Sequence, residues 1–112
     1  MLPYQKIKIY RARHPWAKHL HYARRRCKDT AHKAYKYYGG KGIKCLLIIG
    51  EVKYLWERDG ASKMECPSLD RINSKDHYKF SNCRFIPLSN NCSKPHLRML
   101  IRDQGEFEYD CR

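Results

Sequence analysis

The apolar positions of this chain change period several times, and each change marks an element. Trp16, Leu20, Ala23 and Cys27 recur at intervals of four, three and four, which predicts a helix opened by His14-Pro15 with a single apolar stripe. Its opposite face carries Lys18, Arg24, Arg25 and Lys28. Upstream, Lys6, Lys8, Arg11 and Arg13 interleave with Ile7, Ile9 and Tyr10, an alternation that hints at a short strand within a basic arm of residues 1–13. Ile43 to Ile49 is an apolar run that predicts a short buried strand. Val52, Leu55 and Trp56 then share one face of a helix over Glu51 to Asp59, ended by Gly60, with Trp56 as a core anchor.

The densest punctuation lies between Cys66 and Lys94. Ser68 to Ile72 predicts a strand, Asn73 to Asp76 a polar turn, and Cys83 to Ile86 the returning strand. Pro87 breaks that strand. Ser89 suits an N-cap, and a short helix is expected from about Asn90 until Pro95 stops it. The expected fold class is α+β: one small domain built on a β-hairpin plus helix, with flanking helices. Its parts are a basic arm (1–13), a main domain (14–96, core 66–95) and a tail (97–112).

At 112 residues the core will be modest, and a homodimer would add burial. Twenty-four Lys and Arg against eleven Asp and Glu give a net charge of +13, which favours a polyanionic partner, nucleic acid first among them. A basic housekeeping surface, as on a ribosome-associated protein, fits the same charge. No apolar run approaches the roughly 18 residues of a membrane span and no signal-peptide pattern is present, so an intracellular, cytoplasmic protein is expected. The six cysteines form no C-x-x-C pair and are irregularly spaced, which favours reduced thiols over a disulfide set. Zinc shared by Cys83, Cys92 and His96 is the minor alternative.

Within the 66–95 core, Asp70 lies near the end of the first strand and Asn91 falls in the first turn of the helix, 21 residues later. A helix packed across the hairpin would bring them together. A carboxylate and an amide oxygen make a hard oxygen pair of the kind Mg²⁺ or Mn²⁺ accepts, with water and phosphate oxygens completing the shell. Asn82 would brace the loop through side-chain to backbone bonds. Earlier, Tyr35, Tyr37 and Tyr38 alternate with Lys33, Lys36 and Lys41 around Gly39, Gly40 and Gly42, a mixture of rings, cations and permissive backbone suited to a nucleic-acid strand. Tyr35 reads as partly core and Tyr38 as functional.

These residues resemble a known family. S-L-D-R-I at 68–72, N-C-R-F at 82–85 and an Asn on the closing helix are similar to the ββα-metal (HNH) endonucleases, in particular small phage-type members. The resemblance extends upstream to Y-K-Y-Y-G-G-K-G-I at 35–43. It implies a Mg²⁺- or Mn²⁺-dependent DNA endonuclease with Asp70 and Asn91 as metal ligands, Asn82 as the mid-loop structural residue and no small-molecule cofactor. Arg24, Arg25, Tyr35, Lys36, Lys41, Lys75, Arg84 and Lys94 are the expected nucleic-acid contacts.

One departure stands out. Most members carry, after the strand Asp, the His that deprotonates water, and here that residue is Arg71, which keeps its proton. A restriction-enzyme branch of the class shares the D-R pair and uses a tyrosine from the preceding segment. That analogy points to Tyr38 acting at phosphorus, with Tyr35 and His32 as alternatives and Arg71 stabilising the anion. Otherwise Arg71 clamps the phosphate while His77 or His32 activates water. Loss of the His also fits a catalytically inactive DNA- or RNA-binding module.

Overall fold

A computed structural model describes residues 2–91 of the chain, and side chains as far as Ser89. Its elements in order are α1 (Pro3–Arg13), α2 (Ala17–Lys28), α3 (Ile49–Arg58), β1 (Pro67–Arg71), β2 (Cys83–Pro87) and α4 (Leu88–Asn91), with short 3₁₀ turns between them. Among the described residues this is an α+β arrangement of four helices and one two-stranded antiparallel sheet. No helix among them is long and apolar enough to cross a membrane.

The middle helices form because each has one apolar stripe to bury. Helix α2 turns Leu20 and Ala23 inward, and α3 turns Val52, Leu55 and Trp56 against them. The Glu51 side chain caps α3 by accepting a bond from the Ile48 amide at 3.0 Å, and Gly60 ends the segment at φ 64°. The carboxylate of Asp59 then accepts the Phe85 amide at 2.7 Å, tying the end of α3 to β2. Trp56 meets Phe85 edge to face at 5.2 Å, so the predicted anchor is in the core.

The hairpin register pairs Leu69 with Phe85 and Asp70 with Arg84. Leu69 and Phe85 face the core, which sends the Asp70 and Arg84 side chains to the other face of the ribbon. Helix α4 packs on both strands, and its Leu88 amide donates to the Cys66 carbonyl at 2.8 Å. Strand, loop, strand and helix therefore follow in the expected order. The helix begins earlier than Ser89 implied, directly after Pro87.

Two expected elements differ. Residues 3–13 form a helix rather than a strand-like arm: Pro3 opens it, the Gln5 side chain accepts the Leu2 amide at 2.9 Å, and no neighbouring strand offers hydrogen bonds to an extended segment. Alternating Lys and Ile then spread over every face, so α1 buries no residue. The run Ile43 to Ile49 makes only an isolated parallel bridge between Cys45 and Tyr78, because its backbone partner is the hairpin loop and not a strand. Ile43 and Leu47 are buried, while Leu46 and Ile48 are exposed.

The thiols also differ from expectation. Cys27, Cys45 and Cys83 are free, but Cys66, at a left-handed φ of 50°, is disulfide-bonded. The cysteines are therefore not uniformly reduced.

Candidate active site in the hairpin

Strand β1 delivers Asp70 to the sheet face turned away from Phe85, yet the residue is only 2 % exposed. Its Oδ2 accepts a bond from Nε of Arg84, directly across the ladder, at 3.1 Å. Arg84 itself is 48 % exposed, so a buried carboxylate is met by a cation that can swing into water. Among the described residues no cluster of three or more His, Cys, Asp or Glu is placed to hold a metal ion. The donor chemistry to consider is one carboxylate with an amide oxygen. That set suits Mg²⁺ or Mn²⁺, which keep most of their water and bind protein through one or two oxygens. Asp70 supplies the one described oxygen donor of that pair, and a metal ion bound to it would have to displace the Arg84 guanidinium from Oδ2. The Asn91 backbone lies in α4, on the helix packed against both strands; its side chain lies outside the described ones.

Asn82 locks the loop between the strands. Its Oδ1 accepts the Asn73 amide at 2.9 Å, and its Nδ2 donates to the carbonyls of Asn73 and His77, both at 3.0 Å. The Asn73 side chain in turn accepts the Lys75 amide at 3.0 Å. Each polar atom of the buried Asn82 side chain is thus bonded to loop backbone, so one amide dictates the conformation of residues 73–77.

Arg71 points inward and not to the surface where a phosphate would lie. It is 5 % exposed, its Nη1 donates to the carbonyls of Ser74 and of Asp76 (2.9 Å to the latter), and its guanidinium carbon stands 5.0 Å from the Tyr38 ring and 5.2 Å from the Tyr78 ring. Through Nη1 the guanidinium thus shapes the loop from beneath.

Tyr35 is partly buried as expected, but Tyr38 is enclosed rather than presented to a nucleic-acid strand. Tyr38 is 3 % exposed and stacks on Tyr78 with centroids 6.0 Å apart, whereas Tyr35 is half-buried. The reason is Arg26, which sequence reasoning missed. It is buried at 5.2 Å from the Tyr38 ring and 5.8 Å from the Tyr78 ring, and it donates to the Tyr78 hydroxyl at 3.1 Å. Two guanidiniums and two phenol rings make one interior group, each cation facing electron-rich ring surface. The available signal was spacing: Arg26 lies three residues after the buried Ala23, on the inner side of α2. Gly39 keeps the segment close to α2, since a Cβ there would collide with the Cys27 carbonyl oxygen and the Tyr35 ring.

The two candidate histidines are fixed in the unsuitable tautomer for a base at Nε2. Nδ1 of His32 accepts the Ala34 amide at 3.0 Å, and Nδ1 of His77 accepts the Lys44 amide at 3.0 Å. A backbone N–H can only donate, so each neutral ring carries its proton on Nε2 and presents a donor there. A third ring, His19, lies against Trp56 and Phe85. Burial, with repulsion from Lys18 and Arg26, lowers its pKa to about 3, so it stays neutral.

Among the expected phosphate contacts, Arg24, Lys36, Lys41, Lys75 and Arg84 are exposed, while Arg25 pairs with Asp29 at 3.5 Å. Lys94, Cys92, His96 and the tail 97–112 lie outside the described residues. Burial pushes the thiols of Cys27 and Cys83 up to about 11 and about 12 and raises that of Cys45.

No family model matches the chain, and neither a curated protein nor a solved structure matches it. The resemblance to the ββα-metal endonucleases therefore rests on the motif residues alone.

Proposed function

We propose that the chain is a divalent-metal-dependent endonuclease of the ββα-metal class acting on DNA. The observation that carries this reading is the inward-set Asp70, placed on a hairpin whose loop is held by one buried amide and whose second strand runs into a helix. Asp70 and Asn91 would hold the ion. Mg²⁺ or Mn²⁺ bound there would supply stabilisation of the charge that develops on the leaving oxygen. Asn82 and Arg71 keep the loop in place, Arg71 through carbonyls and not through phosphate. Exposed Lys41, Lys75 and Arg84 are the cations suited to the DNA backbone. Water is the attacking group in this reading, because the Tyr38 ring is enclosed.

A second reading, a nucleic-acid-binding module of the same shape without catalysis, is favoured by the inward turn of Arg71 and Tyr38 and by the tautomers of His32 and His77. Supercoiled plasmid separates the two. With Mg²⁺ or Mn²⁺ the nuclease produces nicked or linear DNA, EDTA prevents it, and Asp70→Asn stops cleavage while DNA binding remains. Intact plasmid after incubation of folded protein with either metal would establish the binding module instead.

A further inference from the structure

The first acidic residue of the chain is Asp29; the preceding 28 positions hold nine Lys and Arg and no carboxylate side chain. Helix α1 lies within this segment, buries none of its residues, and leaves Leu2, Tyr4, Ile7, Ile9 and Tyr10 exposed. Packing of the core gives no reason for such a helix. What it does form, with α2, is an open groove of about 490 Å³. Lys6 and Arg11 line it from α1 and Lys18 and His21 from α2, with Ile7 and Tyr10 between the cations.

Tyr10 is set for contact with a flat partner. Its ring stacks on His14 at 4.1 Å with an interplanar angle of 17°, and His14 rests edge-on against Trp16 at 5.5 Å. This row of rings holds Tyr10 in place while nearly half of it remains exposed. A duplex offers phosphates to such a groove but keeps its base faces stacked inside. An unpaired strand offers both, phosphates for the cations and a base face for the ring.

We infer that the α1–α2 groove binds one unpaired nucleic-acid strand, with phosphates on Lys6, Arg11 and Lys18 and a base against Tyr10. This site is separate from the hairpin and does not depend on the nuclease reading. Deoxyribose and ribose strands share the recognised chemistry, so both belong in the test.

The test is fluorescence anisotropy of the full chain with a labelled short oligothymidine, the matching oligouridine and a duplex of equal length, over about 50 to 200 mM salt. At least one of the two unpaired strands is expected to bind more tightly than the duplex. Tyr10→Ala should weaken that strand about tenfold, the scale of a single base–aromatic stack. Replacing Lys6, Arg11 and Lys18 together by Ala should flatten the dependence of log affinity on log salt by about two. The substituted side chains lie outside the core, so an unchanged thermal melt is expected and shows that folding is not the cause. Asp70→Asn should leave strand binding intact whether or not plasmid is cut. Duplex preference, or full strand affinity in Tyr10→Ala, or an unchanged salt slope in the triple variant, would each overturn the inference.

Discussion

The guanidinium carbon of Arg71 lies 5.0 Å from the centre of the Tyr38 ring, the same ring that Arg26 faces at 5.2 Å. A tyrosine so enclosed acts through its ring. Tyr38→Phe keeps that ring and is expected to retain both the fold and any plasmid cleavage. Tyr38→Ala opens a cavity and should cost about 3 to 5 kcal/mol, read from urea denaturation. Loss of cleavage in a well-folded Tyr38→Phe protein would instead make the phenol the group that attacks phosphorus.

The Asp70–Arg84 pair ties stability to metal. Arg84→Ala takes the guanidinium from a buried carboxylate, and a drop of about 1 to 3 kcal/mol is expected in EDTA, less than for a fully buried pair because Arg84 is half in water. If Asp70 is a metal ligand, Mn²⁺ should restore this variant and raise its melting temperature more than that of the parent. Equal response of the two proteins to Mn²⁺ would remove Asp70 from the metal site.

Asn82 makes three bonds to loop backbone from a buried side chain. Asn82→Ala forfeits all three and leaves loop groups without partners, so a loss of about 2 to 4 kcal/mol is expected. Amide exchange should accelerate most at Asn73, whose N–H the side chain accepts. A variant with unchanged exchange there would show that the loop holds its own shape.

Acid should weaken the fold through His19. Its folded pKa of about 3 is far below the ordinary value of 6.5, so below about pH 6.5 the unfolded chain takes up a proton that the folded chain refuses. The contribution is complete above pH 6.5 and is lost as pH falls toward 3, by at most about 1.4 kcal/mol per pH unit and by less where water reaches the ring. His19→Phe removes the proton acceptor and should flatten the pH dependence of the urea midpoint. An equally steep profile in that variant would assign the acid sensitivity to other groups.

Much of the hairpin was legible in the sequence because its boundaries are written in turn chemistry. Asn73 to Asp76 cannot continue a strand comfortably, and Pro87 cannot donate to one. Helix α3 was legible from its three apolar positions and from Gly60. Helix α1 was not, since alternating Lys and Ile has the period of a strand, and only the lack of a partner strand excludes that outcome. The enclosure of Tyr38 escaped for a related reason. Burial of Tyr38 depends on Arg26 and Arg71, two residues whose charge argues for the surface until their aromatic neighbours are known.

Those two arginines also change what the net charge of +13 means. They sit at 5 % exposure and face ring surface and loop carbonyls, so neither can touch a partner outside. A polyanion meets only the outer lysines and arginines, and rising salt should weaken its attraction throughout.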